Sequence, residues 1–434
     1  MELKWTKLFL ISLISITMTL LFLVSNVEEQ YDPNIHVTFI QPLKGKKTSD
    51  SAIKKYNFKE ILVLISASIL MANISQVIQR EEDKKTILFW NSYWHWKYFQ
   101  MGVGNRGFQN CSRYQNCFTT TRRSKLRDPH IIINAIVFHG VGMNMKEIKN
   151  LREVRTKLAE FNQGIDPLFI LFLFESPKGA NLNSPLLQDF FNVTYTYRTS
   201  ADLFVPYGAF VAKNSKSLDG IIGQSWKKNP SRNATPLNIV PLNNRSKEIA
   251  WIVSHCQTEN HREKYVKELK DLKSLPIDIF GKCGKHLEFP SREDIDSGYA
   301  QIAKDYKFYL AFENSDCSEY ITEKFFFALK FGLLPIAMGG LSKEDYRKVA
   351  PPHSYLHVKD YDSPESLMKR LEIISQNETL FNSYFWWREF YTIEKKIFKE
   401  NVRCQLCQLL NEQPDFKSKN DYSHLIEYWN KCST

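Results

Sequence analysis

The sequence predicts an α/β protein with two doubly wound domains that share a cleft. One membrane-spanning helix and a stem precede these domains in the chain. The chain has 434 residues, which is more than one compact core usually holds. An apolar run near the N-terminus is long enough to cross a bilayer, and beyond residue 86 strand-like apolar runs alternate with segments of helical periodicity. A composition of 43% hydrophobic and 24% charged residues excludes a disordered, collagen-like or coiled-coil chain.

The membrane helix is predicted at residues 8–24, a charge-free run that reads LFLISLISITMTLLFLV. Lys4 and Lys7 precede this run and Glu28 and Glu29 follow it, so the Lys/Arg bias keeps the N-terminus cytosolic. The rest of the chain then lies across the membrane, in type II orientation. A cleaved signal peptide is the alternative, but the run exceeds a usual h-region and no A-x-A-like site follows it.

A second apolar run, at residues 61–74, reads ILVLISASILMANI. Because it is short for a spanning helix, we interpret it as a packed helix of the stem. The alternative is that residues 61–78 form the true anchor and residues 8–24 do not. Eight cysteines and six N-x-S/T sequons favour an oxidising lumen for the remainder of the chain. The sequons lie at Asn73, Asn110, Asn192, Asn233, Asn244 and Asn377.

The folded part contains two blocks of apolar runs, and runs that are apolar on both faces indicate buried parallel strands. The first block has runs at 87–90, 131–138 and 168–174, and the second at 249–254, 277–280, 308–312, 333–338 and 355–358. Helical spacing recurs at 261–273, 321–331 and 364–375, and a turn-rich segment at 230–246 separates the blocks. The predicted divisions are a tail (1–7), a membrane helix (8–24), a stem (25–85), a first α/β domain (86–245), a second α/β domain (246–400) and a Cys-containing C-terminal segment (401–434).

The net charge of +11 is dispersed along the chain in short runs of Lys and Arg. Such runs are more typical of solvated faces than of a nucleic-acid groove, and no basic helix or zinc-finger spacing accompanies them. We therefore expect no nucleic-acid partner, while an anionic small substrate stays open.

Polar segments follow three of the predicted strands, where ligands of doubly wound sheets bind. These segments are Glu175, residues 254–262 and residues 313–324. Arg262 belongs to the second segment and could contact phosphate oxygens with two nitrogens, although a surface arginine is the simpler interpretation.

The segment at 313–324 ends where a helix is predicted to begin. Thr322 can cap this helix, whose first N–H groups and positive dipole end attract phosphate. Lys324 adds a full positive charge there, and Glu323 is an acceptor suited to sugar hydroxyls. The alternative is that Glu323 and Lys324 form a solvated first turn.

Metal chemistry has little support in the sequence. Two short Asp-x-Asp matches follow no apolar strand with further ligands, and Cys404 and Cys407 lack a second pair at zinc-finger spacing. A disulfide role is the better interpretation of these cysteines. The motifs of serine hydrolases, zinc proteases and P-loop nucleotidases are also missing from the sequence.

The stretch at 306–340, YKFYLAFENSDCSEYITEKFFFALKFGLLPIAMGG, closely resembles the donor-binding signature of the α1,3-fucosyltransferases, Golgi enzymes that use GDP-fucose. Further matches follow in family order. They are ILFWNSYW (87–94), FESP (174–177), NVTYTYRTSADLFVPYG (192–208), WIVSHC (251–256) with Arg262, and SYFWWREFY (383–391). The resemblance covers about residues 86 to 410 and implies two Rossmann-like domains facing a cleft, the GT-B type.

The resemblance also implies roles for individual residues. Glu175 of FESP looks like the general base that takes the proton from the acceptor hydroxyl, and Arg262 and Lys324 look like a clamp for the diphosphate. The remaining implied residues of the GDP-fucose site are Tyr207, Ser254, Tyr309, Asn314, Tyr320 and Glu323. Three positions depart from the signature: Cys317, the helix FFFALKFG (325–332) and His255.

The function implied is inverting transfer of L-fucose from GDP-fucose to a hydroxyl, expected to be O3, of N-acetylglucosamine in glycoprotein or glycolipid glycans. Alternatives are transfer to the innermost N-acetylglucosamine of N-glycans, an inactive glycan-binding paralogue, or a transferase for another nucleotide sugar. No obligatory metal is expected, and Mn²⁺ is expected at most to stimulate. The predicted location is the Golgi membrane, single-pass and type II, with the catalytic part in the lumen.

The resemblance further implies that Cys404 and Cys407 bond to Cys111 and Cys117, in an order it does not fix. This pairing would hold the C-terminal segment against the first domain.

Overall fold

The structure is a computed structural model that describes residues 36–42, 51–57, 83–91, 102–213, 226, 240–242, 244–287, 295–394, 397–414, 416–418 and 420–433. By its internal contacts the chain divides into two units, 1–84 and 85–434. Both predicted anchors, residues 8–24 and 61–78, lie outside the described residues. Within the described ranges, no helix is long and apolar enough to cross a membrane.

The first unit contains an antiparallel hairpin of two strands, β1 (His36–Pro42) and β2 (Ser51–Asn57). Both strands fall within the predicted stem, residues 25–85, where no strand was predicted. Val37, Thr38, Phe39 and Ile40 are residue types that favour strands.

The second unit begins with a sheet of six parallel strands. They are β3 (Lys85–Phe89), β4 (Cys117–Thr120), β5 (Ile133–His139), β6 (Leu168–Leu173), β7 (Val193–Thr196) and β8 (Leu203–Phe204). The spatial order is β4-β3-β5-β6-β7-β8, and β6 is buried along its whole length because both its faces are covered. The helix α1 (Met145–Phe161) connects β5 to β6, and the next strand, β9 (Ala209–Ala212), lies outside this sheet.

A second sheet has five parallel strands in the order β11-β10-β12-β13-β14. Its strands are β10 (Lys247–Ile252), β11 (Ile277–Phe280), β12 (Tyr306–Phe312), β13 (Leu334–Met338) and β14 (Leu356–His357). Its helices are α2 (Arg262–Asp271), α3 (Ile295–Asp305), α4 (Glu323–Phe331), α5 (Lys343–Val349), α6 (Pro364–Ser375) and α7 (Glu378–Ser383). Strands alternating with helices confirm the α/β prediction, and every predicted apolar run overlaps a strand.

In each sheet, the second strand along the chain pairs with one side of the first strand, and the later strands are added on its other side. This order creates a topological switch point between β3 and β5 in the first sheet, and between β10 and β12 in the second. Ligands of doubly wound sheets bind at such points, beyond the carboxyl ends of the strands. Arg262 follows β10 and the segment at 313–324 follows β12, so both lie at the switch point of the second sheet.

The C-terminal part of the chain returns to the first sheet. The strand β15 (Tyr391–Glu394) pairs with β9, and α8 (Ile397–Glu412) and α9 (Leu425–Trp429) follow. Cys404 of α8 bonds to Cys111 and Cys407 to Cys117, which confirms the expected partners and fixes their order. The other four cysteines form the pairs Cys256–Cys283 and Cys317–Cys432.

Candidate active site

Loops from the carboxyl ends of the two sheets contact each other. Glu175 lies two residues beyond β6, and the next residue, Ser176, has its hydroxyl oxygen 3.0 Å from that of Ser315. An ion pair of 2.8 Å joins Lys178 to Glu259 across the same gap. The two sheets therefore face each other with their ligand-binding edges, and the predicted site residues come from both sides.

Glu175 is half-buried at the end of the first sheet. Burial raises the pKa of this carboxyl group, the negative charge of Glu323 raises it further, and the positive charge of Lys324 partly opposes both effects. The hydroxyl group of Tyr207 donates a hydrogen bond to the carbonyl of Phe174, which fixes the backbone directly before Glu175. A carboxylate with a raised pKa is suited to accept a proton near neutral pH.

Arg262 is the first residue of α2 and is almost completely buried, which rules out the interpretation as a surface arginine. Its Nη1 donates to the carbonyl of Phe312 at 2.5 Å and its Nη2 to the carbonyl of His255 at 3.2 Å. Its Nε–H is buried without a hydrogen-bond partner among the described residues. Such a donor is expensive to leave unpaired, so it indicates a position where an anionic ligand could bind.

Lys324 lies in the first turn of α4 and is bonded to neighbouring polar groups. Its ammonium group donates to Oε2 of Glu313 at 3.1 Å, to Oγ1 of Thr322 at 2.8 Å and to Oε1 of Glu323 at 3.3 Å. Burial alone would lower the pKa of Lys324, but the two carboxylates outweigh burial and raise it, so the side chain keeps its positive charge. Both Glu323 and Lys324 are half-buried, so the alternative that they form a solvated first turn does not describe this helix end.

Glu313 is a component of this site that sequence analysis did not identify. It is completely buried, and its carboxylate accepts the backbone N–H of Thr322 at 2.7 Å and the Thr322 hydroxyl at 2.9 Å. The expected cap is also corrected, because this hydroxyl bonds to Glu313 rather than to an N–H group of α4. A signal for Glu313 was present, since it directly follows the apolar strand β12.

The other predicted site residues lie at different depths. Tyr309 is completely buried in β12, and its hydroxyl oxygen is 3.0 Å from that of Tyr299. Tyr320 is buried, with its ring centroid 6.1 Å from that of Tyr207, whereas Asn314 is half-buried and Ser254 is exposed beyond β10. Tyr309 thus lies beneath the site rather than on its surface, and Ser254 lies at its edge.

The described residues contain no group of three or more His, Cys, Asp or Glu side chains arranged to hold a metal ion. Cys404 and Cys407 of α8 both form disulfide bonds, so their thiolates are not available as metal ligands. Chemically, the site combines a carboxylate that can accept a proton on one side with a buried arginine, a half-buried lysine and a helix N-terminus on the other.

Comparisons with known proteins identify the family. A model described as "Fucosyltransferase, N-terminal" matches residues 82–208, and one described as "Glycosyltransferase family 10 (fucosyltransferase) C-term" matches residues 242–428. The chain is 31% identical over 364 residues to α-(1,3)-fucosyltransferase C of Drosophila melanogaster, covering 81% of this chain and 79% of the relative. It is 29% identical over 368 residues to the Bos taurus 4-galactosyl-N-acetylglucosaminide 3-α-L-fucosyltransferase 9, covering 84% of this chain and 87% of the relative.

A solved structure, described as a crystal structure of α1,3-fucosyltransferase with GDP-fucose, is similar at 14% identity with a TM-score of 0.44. The match covers 78% of this chain and 93% of that chain. Together the two family models span most of the chain, and the fruit-fly relative is similar over most of its own length. The chain therefore belongs to glycosyltransferase family 10, the α1,3-fucosyltransferases.

Proposed function

We propose that this protein transfers L-fucose from GDP-fucose to O3 of an N-acetylglucosamine residue in glycoprotein or glycolipid glycans, with inversion at the anomeric carbon. One observation carries the proposal. Glu175, a carboxylate with a raised pKa, lies on one side of the gap between the sheets, and the half-buried Lys324 and the buried Arg262 lie on the other. A direct displacement needs this division, with a base on the acceptor side and stabilisation of the leaving diphosphate on the donor side.

In the proposed reaction, Glu175 accepts the proton of the acceptor hydroxyl while the oxygen of that hydroxyl attacks C1 of fucose. The C1–O bond to the β-phosphate breaks in the same step, and GDP departs with the bonding electrons. No covalent intermediate with the protein forms, and the single displacement inverts the configuration at C1.

On the donor side, Lys324 and the free Nε–H of Arg262 contact the diphosphate oxygens and stabilise the charge that develops as GDP leaves. Glu313 keeps Lys324 in place because its carboxylate accepts hydrogen bonds from the ammonium group and from the backbone N–H of Thr322, two residues earlier. Since these cations already supply positive charge, we expect no obligatory divalent metal.

The names of the relatives support the linkage and the acceptor. The fruit-fly relative is named for an α-(1,3) linkage and the bovine relative for transfer to a 4-galactosyl-N-acetylglucosaminide. No contact in the described residues distinguishes an antennary from an innermost N-acetylglucosamine, so transfer to the latter is the second form of the proposal.

The test is transfer by the full-length chain. The protein is incubated with GDP-fucose and a set of acceptors ending in free or galactosylated N-acetylglucosamine or carrying an N-glycan core, with and without EDTA. We expect fucose linked α1,3, identified by NMR, in the presence of EDTA. Absence of transfer to all acceptors, a different linkage, or complete dependence on added Mn²⁺ would contradict the respective part of the proposal.

We further propose that the protein is a single-pass type II protein of the Golgi membrane with residues 86–434 in the lumen. The apolar run at 8–24, the sequons and the cysteines support this location, and all eight cysteines form disulfide bonds. Peptide N-glycosidase should increase the gel mobility of the protein made in a eukaryotic cell. An unchanged mobility, with protease sensitivity from the cytosolic side, would contradict it.

A further inference from the structure

The last residues of the chain contact the loop that precedes α4. We call residues 313–322 the donor loop and residues 420–433 the C-terminal tail. We propose that the C-terminal tail is a positioning element of the donor site, because it holds the donor loop in the conformation that presents Tyr320, Glu323 and Lys324 to GDP-fucose. The inference rests on the proposed function for the identity of the ligand.

A covalent bond and two backbone hydrogen bonds join the tail to the loop. Cys317 bonds to Cys432, and these residues form an antiparallel bridge. The N–H of Ser318 donates to the carbonyl of Lys431 at 2.7 Å, and the N–H of Ser433 donates to the carbonyl of Asp316 at 2.8 Å. The tail therefore adds a short strand-like partner to a loop that otherwise has irregular structure.

The tail is itself anchored on the first sheet, so it can transmit rigidity to the loop. Arg198, which follows β7, is almost completely buried and donates from Nη2 to the carbonyl of Trp429 at 2.6 Å. Its guanidinium carbon lies 4.8 Å from the centroid of the Trp429 ring, a cation–π contact. The N–H of Leu425 donates to the side chain of Gln188 at 2.9 Å. Trp429 and Leu425 are completely buried, so this anchor is part of the core.

The buried tryptophan of the tail also supports the aromatic residues of the site. The ring of Trp429 lies 5.8 Å from that of Tyr197, and Tyr197 lies 5.3 Å from Tyr320 and 6.0 Å from Tyr207. Tyr207 bonds to the carbonyl before Glu175. Tyr197 therefore connects Trp429 of the tail to Tyr320 on the donor side and to Tyr207 on the acceptor side.

The donor loop contains a backbone conformation that needs such support. Glu319 has φ of +58°, a left-handed conformation that is unfavourable for a residue with a side chain. Its N–H donates to Asp345 at 2.9 Å, and its carboxylate accepts from Thr199 at 2.9 Å and from Lys348 at 2.6 Å. Conformations of this kind persist only where the surroundings hold them, and Cys317 provides a covalent hold two residues away.

Part of this link lies beyond the residues that the family model matches. The family model ends its match at residue 428, before Lys431, Cys432 and Ser433. At the other end of the link, Cys317 is one of the positions where this sequence departs from the donor-binding signature.

The test compares three variants of the full-length chain with the unchanged protein. C317S/C432S removes only the covalent bond, and truncation after Asn430 combined with Cys317→Ser also removes both backbone hydrogen bonds. The control C111S/C404S breaks a disulfide bond that does not contact the donor loop. Hydrogen exchange of peptides covering 314–322, calorimetric binding of GDP, and kcat and KM for GDP-fucose and for acceptor are measured for each.

We expect faster exchange in the donor loop, a GDP Kd raised about tenfold and a matching rise of the KM for GDP-fucose, with acceptor KM within about twofold. The truncated variant should show the larger effect. The control should lose thermal stability while its loop exchange and GDP Kd stay within about twofold of the unchanged protein.

Unchanged loop exchange or unchanged GDP affinity in the truncated variant would overturn the inference, as would an equal effect in the control. Failure of the unchanged protein to bind GDP would instead overturn the proposed function and, with it, the donor as the ligand. The exchange measurement needs no ligand, so the two failures are distinguishable.

Discussion

Glu175 and the first turn of α4 are coupled electrostatically although they belong to different sheets. The charge of Glu323 raises the pKa of Glu175, and the charge of Lys324 lowers it. A general base must be deprotonated to act, so in the proposed reaction burial of Glu175 together with these two charges sets the lower end of the working pH range. Because kcat/KM reports the free enzyme, its acidic limb should follow the pKa of Glu175.

This coupling predicts opposite pH shifts for two substitutions. Glu323→Gln removes a negative charge, so the pKa of Glu175 should fall and the acidic limb should move to lower pH. Lys324→Ala removes a positive charge, so the limb should move to higher pH. The measurement is the pH dependence of kcat/KM for each variant.

Lys330→Ala is the matched control, because Lys330 lies at the other end of α4 and bonds to Asp296 at 3.1 Å. Its acidic limb should coincide with that of the unchanged protein. Shifts of the Glu323→Gln and Lys324→Ala limbs in the same direction would show that the limb does not report Glu175.

At the level of single residues, the sequence predicted the positions of site residues better than their hydrogen-bond partners. Glu175 and Arg262 were found because they follow apolar runs, and the carboxyl ends of parallel strands meet at one edge of a sheet. The bonds of Thr322 and Glu313 were not predictable in this way. Capping and bonding to a buried carboxylate are both open to a threonine hydroxyl, and the choice depends on a tertiary contact.

The helix α4 is held at its C-terminal end and along one side by residues distant in sequence. At its C-terminal end, Arg245 donates to the carbonyl of Gly332, and Arg388 donates to those of Leu329 and Lys330, both at 3.1 Å. These cations complement the negative end of the helix dipole. On its first-domain side, α4 packs against Gly208: a Cβ atom there would lie 2.5 Å from Cγ of Phe326.

Gly208→Ala should therefore displace α4 or the backbone around Tyr207, the residue directly before Gly208. We expect a loss of stability of about 1–3 kcal/mol, as in other overpacked cores, together with a raised KM for GDP-fucose. Thermal unfolding and steady-state kinetics measure the two effects.

Gly164→Ala is the control for Gly208→Ala, because it adds backbone strain without displacing the site. Gly164 has φ of +82°, and a Cβ atom there would have no other atom within 4 Å, so alanine strains the backbone without contacting α4. This control should lose stability but keep the KM for GDP-fucose. Equal KM values in both variants would contradict the role assigned to the Gly208 contact.

At the level of elements, long apolar strands such as β6 and β12 were predictable because burial on both faces leaves a continuous apolar run. The strands β4, β7 and β8 were not identified. β4 reads CFTT and β7 reads VTYT, so both are short and carry Thr on buried positions, and β8 has only two residues. Their assignment depends on hydrogen bonds to neighbouring strands rather than on a local pattern.

Across the whole molecule, two disulfide bonds tie α8 to the first sheet. Cys111–Cys404 and Cys117–Cys407 close separations of 293 and 290 residues. Because they run side by side, either bond alone already closes the long loop, and the second then closes only a short ring. The chain-entropy model consequently makes their contributions non-additive.

Removing either bond alone should lower the free energy of unfolding by roughly 3 kcal/mol, whereas removing both should cost more than twice that amount. Denaturant unfolding of C111S/C404S, C117S/C407S and the quadruple variant measures the three values. A quadruple variant that loses only the sum of the two single losses would contradict this account.

The two-domain organisation was predictable from the chain length and from apolar runs alternating with helical segments. The path of the C-terminal tail was not predictable from these features. Eight cysteines allow 105 connectivities, and neither Cys317 nor Cys432 has a neighbouring cysteine that suggests a partner. Cys432 lies three residues beyond Trp429, which contacts Arg198, and this contact between residues far apart in the chain has no signal in the local sequence.

Glu175 is the proposed base in a reaction whose donor binds on the other side of the cleft. Glu175→Gln keeps the shape and hydrogen-bonding capacity of the side chain but cannot accept the proton. We expect kcat to fall by roughly a hundredfold or more, while the calorimetric Kd for GDP and the melting temperature stay unchanged. A Glu175→Gln protein with near-normal kcat, or one whose loss of activity is matched by a loss of stability, would contradict the claim.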